Sequence, residues 1–420
     1  MRRLHDMVLA ATLVVYLLLV GCHEHSDIDD NGVVEVVVWA HEGQPAEKQA
    51  IIAIIDAFNR SHDDVSISLQ FKQEQGYGER VNAAAMSGML PDVLDIDGPY
   101  TAHFAELGIL SPLDEYVSQS MRDDFLPTIL AQGTYQGRLY TLGAFESTVV
   151  LFYNKTIFAA CGIEDIPGSV SDAWTWEEFL AVLRKLKSCK PDLLPLETFM
   201  PWSGEWLTYA FMPVIWSNGG QILSENGKVA NGFVNGDRSV QAMSQWQVLF
   251  KEGLSSKNAT PGQFRDSKAA MAWGVFNRWP LYQDKGLEFG MVPLPKLSQP
   301  SSPSGSWCWG ITQQSKDKHA AVAVLKWFVD SREGIIRICK ANGGIPARES
   351  AIALMPDYVN SRELFIQQLR QSGMARPVTP KYGVLTKEMS RAMEDISRGM
   401  EVAPILNDVA RRLDEVLSQD

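Results

Sequence analysis

The chain has 420 residues, 50 of them acidic and 38 basic, which gives a formal net charge of −12 at pH 7. Its 45% apolar and 21% charged residues are typical of a globular protein and exclude a disordered or fibrous chain. The negative charge argues against a nucleic-acid partner, and no apolar run reaches the roughly 18 residues that a membrane-spanning helix needs.

The N-terminus has the three parts of a secretion signal. Arg2 and Arg3 give a positive start, residues 7–20 are apolar, and a glycine precedes Cys22. We therefore predict an exported protein with a signal peptide at residues 1–21. The end of this segment, Leu-Val-Gly-Cys, resembles the lipobox of bacterial lipoproteins. The resemblance implies cleavage before Cys22 and acylation of its thiol.

The next segments alternate between strand and helix patterns. Residues 22–32 are polar and favour a flexible tether, and residues 33–39 are almost continuously apolar, as in a parallel strand covered on both faces. The segment that starts at Pro45 has an apolar stripe at helical spacing, and residues 65–71 alternate as in a strand. A further helix and a short strand at residues 93–96 follow.

This order predicts an α/β fold with an open, doubly wound sheet. In such sheets ligands bind beyond the carboxyl ends of the strands. Later in the chain, Thr175 and Glu178 form a capping box that predicts the start of a helix. Residues 298–306 are rich in Ser and Pro and predict a crossover, and residues 386–398 and 403–417 have helical patterns.

The remaining cysteines are Cys161, Cys189, Cys308 and Cys339. None belongs to a Cys-x-x-Cys pair, so the sequence predicts no metal site. Disulfides persist outside the cytoplasm, and the sequence-local pairs are Cys161–Cys189 and Cys308–Cys339. Other connectivities and buried free thiols remain open alternatives.

Several segments occur in the order of one known family. The chain resembles the extracellular solute-binding proteins of sugar ABC transporters, the group that includes maltose- and trehalose-binding proteins. The segments that carry the resemblance are VVVWAHEG, AIIAIIDAFN, LPDVLDID, YTLGAFESTVVLFYNKTIFAACGI, TWEEF, WSNGGQIL, AAMAWGVF, SGSWCWGIT and GGIPARESA. They are spread over nearly the whole chain after Cys22.

The resemblance implies two α/β lobes, each an open sheet flanked by helices, with the ligand in the cleft between them. Crossovers are then expected near residues 143–147, 302–306 and 345–349. Lobe one would comprise residues 33–145 and 307–345, and lobe two residues 146–303 and 346–420.

Sugars are bound by aromatic rings that stack on the C–H face of the pyranose and by carboxylates and amides that bind the hydroxyls. Carboxylates and aromatics of this kind follow the predicted strands. We expect ligand contacts from residues that follow the first strand, the third strand and the first crossover: Glu42, Gln44, Glu47, Asp97, Tyr100 and Glu146.

The aromatic-rich segment after residue 199 adds Trp202, Trp206 and Trp216 as stacking candidates, with Asn218 as a hydroxyl partner. Core packing is the alternative for these tryptophans, since large aromatic residues are usually buried.

Two further segments match the family's stacking positions. Phe276 stands where the family has Trp, so Trp279 is a substitute candidate, while Trp307 in SGSWCWGIT is the strongest stacking candidate. Arg348 would reach the cleft with bidentate donors, and its alternative is a surface salt bridge.

The sequence therefore predicts a monomeric lipoprotein that binds a disaccharide or short oligosaccharide and delivers it by lobe closure to an ABC permease. No cofactor and no catalysis are expected. Two alternatives stay open: a secreted glycosidase that uses paired cleft carboxylates, and a sensing or adhesion lipoprotein on the same fold.

Overall fold

The computed structural model describes residues 32–74 and 76–419. The predicted signal peptide, Cys22 and all but the last residue of the predicted tether lie outside these residues and stay predictions. Within the described ranges, no helix combines the length and apolar character that a membrane span requires.

The described residues form short strands and helices that alternate along most of the chain. The strands are β1 (Val34–His41), β2 (Val65–Lys72), β3 (Val93–Asp97), β4 (Thr134–Tyr135), β5 (Arg138–Leu139), β6 (Thr141–Gly143), β7 (Phe145–Glu146), β8 (Val149–Asn154), β9 (Leu194–Glu197), β10 (Ala269–Val275), β11 (Phe289–Val292), β12 (Ser302–Ser304), β13 (Trp307–Ile311), β14 (Ile345–Pro346) and β15 (Gly373–Ala375).

The α-helices are α1 (Pro45–Ser61), α2 (Tyr77–Ser87), α3 (Thr101–Glu106), α4 (Gln119–Asp124), α5 (Pro127–Gly133), α6 (Lys155–Ala160), α7 (Trp176–Cys189), α8 (Glu205–Ser217), α9 (Asp237–Lys251), α10 (Arg278–Asp284), α11 (Lys318–Phe328), α12 (Ile336–Asn342), α13 (Glu349–Ala353), α14 (Pro356–Asn360), α15 (Glu363–Ser372), α16 (Tyr382–Ser397) and α17 (Val402–Leu417).

The first lobe is built on a five-stranded sheet with the order β2-β1-β3-β13-β6. β1 is parallel to β2 and β3, whereas β13 is antiparallel to β3 and β6. The carboxyl ends of β1 and β3 therefore share an edge with the first residue of β13. Along β1, buried residues alternate with partly buried ones, so one face of the strand is only partly covered. The prediction that both faces of this strand are covered is therefore wrong for the second face.

The second lobe is built on a four-stranded sheet with the order β11-β8-β10-β9. β10 runs through its middle, parallel to β9 and antiparallel to β8, and every residue of β10 is buried. Helix α8 packs on this sheet, where the indole of Trp273 donates to the carbonyl of Ala210 at 3.0 Å. α8 also packs against α9 and α16, and α16 packs against α17.

The capping box predicted for α7 is confirmed. The Thr175 hydroxyl accepts from the backbone N–H of Glu178 at 3.3 Å, and the Glu178 carboxylate accepts from the backbone N–H of Thr175 at 2.7 Å. These bonds satisfy two backbone donors at a helix start that would otherwise lack partners.

One disulfide is present among the described cysteines. Cys161, just after α6, is bonded to Cys189 at the end of α7. Cys308 and Cys339 are buried free thiols. Cys308 lies inside the five-stranded sheet and Cys339 lies in α12. These two residues are therefore the buried free thiols that the sequence left as an alternative to a second disulfide.

Candidate functional site

Two neighbouring cavities form one cleft between the lobes. The cavities measure about 680 Å³ and 260 Å³, and both are lined by Glu74, Asp97, Glu205 and Trp307. Asp97 ends β3 and Trp307 begins β13, so both belong to the first lobe. Glu205 begins α8 and belongs to the second lobe. The cleft thus lies at the strand-end edge of the first sheet, where the sequence predicted the ligand site.

His41, the last residue of β1, is the centre of a buried charged cluster. Its Nδ1 lies 2.5 Å from a carboxylate oxygen of Asp95, and its Nε2 lies 3.8 Å from the Glu47 carboxylate. Burial alone would lower the pKa of His41, but the charge and hydrogen bond of Asp95, with help from Glu47, raise it to about 10. The imidazole is therefore cationic at neutral pH.

Arg376, which follows β15, forms a second buried charged cluster across the cleft. Its two Nη atoms donate to the two oxygens of Asp97 at 3.0 and 2.7 Å, and Nη1 also donates to Glu205 at 2.8 Å. Tyr382 and Thr386 of α16 each donate a hydroxyl to Glu205 at 2.6 Å. Burial raises the pKa of Glu205, and the charge of Arg376 opposes that rise. Because Asp97 belongs to the first lobe, Arg376 joins the two lobes.

Aromatic side chains line both cavities. Trp307 lines both, and its ring stacks on the imidazole of His41 with a centroid distance of 3.8 Å. The larger cavity is also lined by Tyr77, Tyr100 and Phe104, and the smaller cavity by Phe145, Trp206, Tyr209 and Phe276. Rings beside carboxylates and a guanidinium provide both chemistries that a sugar requires, stacking and hydroxyl binding.

The structure brings part of the predicted ligand set together. The predicted residues that line the cleft are Gln44, Glu47, Asp97, Tyr100, Trp206, Phe276 and Trp307. The predicted residues that do not line either cavity are Glu42, Glu146, Trp202, Trp216, Asn218, Trp279 and Arg348.

Polar contacts outside the cleft account for Glu42, Asn218 and Arg348. Glu42 is exposed and pairs with Lys48 at 3.1 Å, and the Asn218 amide donates to the carbonyl of Arg238 at 2.9 Å. Arg348 donates to Asp124 at 2.7 Å. The salt bridge that the sequence left as the alternative for Arg348 is the arrangement observed.

Packing accounts for Trp216 and Trp279, whereas Trp202 stays 37% exposed. Trp216 is 2% exposed in the core of the second lobe, as the core alternative for α8 predicted. Trp279 packs against Phe289 at a centroid distance of 5.0 Å. Trp202 stacks on Phe199 beside Trp206, which itself lines the smaller cavity.

Glu146 connects two segments that run between the lobes. It is fully buried, and one carboxylate oxygen accepts the backbone N–H groups of Ser147 at 2.9 Å and Gly305 at 2.6 Å. Burial raises the pKa of Glu146. Gly305 has φ +127°, and a Cβ there would lie 2.8 Å from a nitrogen of Arg376. Glu146 therefore holds the backbone of Ser147 and Gly305, which line the smaller cavity, but does not line that cavity itself.

Sequence reasoning missed His41, Asp95, Glu205 and Arg376. Glu205 precedes Trp206, so the rule that pairs a carboxylate with a neighbouring aromatic residue would have selected it. Arg376 lies 279 residues from Asp97, and no local pattern connects the two. His41 and Asp95 lie inside or at the end of strands, where their residue types alone do not distinguish a charged pair from isolated polar residues.

The chain is similar over most of its length to known binding proteins. Residues 42–334 match the model of the bacterial extracellular solute-binding protein family. A maltotriose-binding protein of Pyrococcus abyssi is 22% identical over 403 residues, which cover 91% of this chain and 82% of that protein. The diacetylchitobiose-binding protein DasA of Streptomyces coelicolor is 24% identical, over 75% of this chain and 73% of that protein.

Solved structures show the same two-lobed fold. The sugar-binding protein MalE of Xanthomonas citri superposes with a TM-score of 0.80 at 20% identity, covering 92% of this chain and 98% of that chain. The GacH receptor of Streptomyces glaucescens gives a TM-score of 0.77 at 21% identity, with coverage of 92% and 98%. With the family match spanning most of the described residues and the cleft between two lobes, this chain belongs to the bacterial extracellular solute-binding proteins.

Proposed function

We propose that the protein binds a disaccharide or short oligosaccharide outside the cytoplasm and delivers it to an ABC importer. The observation that carries this proposal is the cleft itself, where Trp307 lies beside Asp97 and Arg376. The larger cavity, of about 680 Å³, has the volume of a typical small-molecule site, which is roughly 300–1,000 Å³. The smaller cavity adds about 260 Å³. Relatives named for maltotriose and diacetylchitobiose support a ligand of more than one sugar ring.

Binding would proceed by lobe closure. The bidentate contact of Arg376 with Asp97 joins the second lobe to the first across the cleft. A ligand that contacts both lobes stabilises the closed state by its additional contacts there. The permease of the importer would recognise this closed form.

We further propose a lipid anchor at Cys22 and boundaries for the two lobes. The chain would be cleaved before Cys22, acylated there and tethered to the membrane through residues 22–32, as a monomer. Lobe one would comprise residues 33–145 and 307–345, and lobe two residues 146–303 and 346–420. The two sheets support this division, because β1–β3, β6 and β13 form one sheet and β8–β11 the other.

A glycosidase would need one carboxyl group that stays protonated beside a second that is ionised. Glu205 and Asp97 are the pair that the cleft offers, and burial raises the pKa of Glu205. Arg376 donates to both carboxylates, and Tyr382 and Thr386 donate to Glu205, so the hydrogen bonds of the cleft use both groups as acceptors. We therefore keep binding without turnover as the proposal.

A thermal-shift screen of the chain starting at Asp27 tests the proposal against mono-, di- and trisaccharides and polyols. A ligand at 100 times its dissociation constant adds about 2.7 kcal/mol of stability, which gives a visible rise in melting temperature. We expect a di- or trisaccharide to produce this rise and to be recovered intact by chromatography. Recovery of hydrolysed sugar would support the glycosidase, and a flat screen would contradict sugar binding.

A further inference from the structure

His41 and Trp307 form a stacked pair in the wall of the cleft. Their ring centroids lie 3.8 Å apart, and their planes differ by 14°. Tyr77 meets Trp307 in a T-shaped contact at 5.6 Å. Since His41 covers one face of the indole, a ligand reaches Trp307 only at the other face or at the ring edge.

Carboxylates hold His41 in this position. Asp95 binds its Nδ1 at 2.5 Å, and Glu47 lies 3.8 Å from its Nε2. Glu47 in turn accepts from the amide of Asn342 at 3.0 Å, a residue 295 positions away at the end of α12. His41, Asp95 and Glu47 are 3%, 2% and 6% exposed, so these contacts are shielded from water.

We propose that His41, held by Asp95, is a positioning residue that fixes the plane of Trp307 and thereby raises the affinity of the cleft for a stacked sugar. The part of this inference that concerns affinity rests on the proposed function. The part that concerns Trp307 rests on the stacked geometry alone. A cation against an indole face adds electrostatic attraction to ring stacking, which restrains both rings.

The surroundings of His41 agree with a cationic ring. The carboxylates of Asp95 on β3 and Glu47 on α1 face it and favour the protonated form, and Glu74 in the loop before α2 is a third acidic neighbour, whose pKa burial raises against the charge of His41. The pKa of about 10 that results leaves the imidazole charged throughout the neutral range.

Tryptophan emission tests the stacking without any ligand. A protonated imidazole in contact with an indole quenches its fluorescence, because it accepts an electron from the excited ring. We expect His41→Gln to increase the emission, and we expect the same substitution to change nothing in a Trp307→Phe background. This background is needed because the chain has 12 tryptophans. An increase of equal size in both backgrounds would overturn the positioning of Trp307 by His41.

Calorimetric titration tests the effect on affinity, with maltotriose, maltose and diacetylchitobiose as probes. Loss of the alignment of a stacked ring, with the ring itself retained, corresponds to an affinity weaker by up to about tenfold. We expect this loss for His41→Gln. We also expect it for the double variant His41→Gln/Asp95→Asn, in which two neutral amides replace the charged pair, so that Asp95 is not left as a buried charge without its cation, while Glu47 keeps its bond from Asn342.

His62→Gln is the matched control. His62 stacks on Phe58 with a centroid distance of 3.9 Å and a plane angle of 12°, at the end of α1 and away from the cleft. We expect this variant to keep the affinity of the unmodified chain. Unchanged affinity in both His41 variants would overturn the positioning role. Failure of every sugar to bind the unmodified chain would instead contradict the proposed function, and the emission measurement would then decide the positioning of Trp307.

Discussion

Trp307 and Asp97 are opposite each other on β13 and β3, so one aromatic ring and one carboxylate enter the cleft from neighbouring strands. Each had its own local signal in the sequence, because Asp97 ends an apolar strand and Trp307 begins one. Arg376, which binds Asp97, had no such signal. Its position depends on how the chain packs after β15, and residue type alone does not reveal that packing.

Replacing Trp307 tests the stacking role of its ring. Trp307→Ala should weaken sugar binding by about 1–3 kcal/mol, because both stacking and buried apolar area are lost. Calorimetric titration measures the change. Trp279→Ala is the control, since Trp279 packs against Phe289 outside the cleft and should leave the affinity unchanged. Equal affinities of Trp307→Ala and the unmodified chain would remove Trp307 from the site.

The charge of His41 predicts a dependence of stability on pH. Its pKa rises from 6.5 to about 10 on folding, so its contribution to stability is complete below pH 6.5 and is lost as the pH rises to about 10. Across this window the advantage of the unmodified chain over His41→Gln should shrink as the pH rises, by at most about 1.4 kcal/mol per pH unit. Urea unfolding of both chains at several pH values measures the difference. A constant difference would show that His41 is neutral in the folded chain.

At the scale of elements, the sequence was most informative where periodicity is strong. The strands and helices from β1 to β3 and the capping box of α7 follow from alternation, helical spacing and one capping motif. Helix α8 was different, because from Leu207 to Ser217 it is buried on all sides and has no polar face to mark its orientation. The sequence therefore could not decide which of its tryptophans faces the cleft. Trp216 lies in the core and Trp206 in the cleft wall.

The disulfide between the ends of α6 and α7 should stabilise the second lobe. It closes a loop with a sequence separation of 28 residues, for which the loss of chain entropy in the unfolded state corresponds to about 3–4 kcal/mol. We expect Cys161→Ser/Cys189→Ser to lower the free energy of unfolding by this order, as measured by urea titration. A reducing agent should destabilise the unmodified chain and leave the double variant unchanged. Equal sensitivity of both chains would contradict the prediction.

At the scale of the molecule, the cleft depends on contacts between segments far apart in the sequence. β13 returns to the first sheet after the whole second sheet, and the residues after β15 return to the cleft with Arg376. The resemblance to solute-binding proteins implied this two-lobed arrangement, and the fold is confirmed. The ionic contacts that join the lobes depend on side-chain geometry, which the sequence pattern does not contain.

Arg376 should favour the closed form of the empty protein. Arg376→Lys keeps the positive charge but loses the bidentate contact with Asp97, because an ammonium group lacks the planar fork of a guanidinium. Small-angle scattering without sugar should therefore show a larger radius of gyration for this variant. Arg184→Lys is the control, since Arg184 forms a bidentate contact with Glu252 within the second lobe. A radius equal to that of the control would contradict the lobe-joining role.

The position of β13 has a consequence for how the protein forms. This strand lies between β3 and β6 and pairs with both, yet it follows every strand of the second sheet in the sequence. As the chain emerges N-terminus first, the second sheet has all its strands once residue 292 is out, whereas the first sheet still lacks an internal strand until residue 311. The sheet whose strands emerge first is therefore the sheet that is completed last, and the edge of β3 that later pairs with β13 stays exposed while the second sheet gains its last strand.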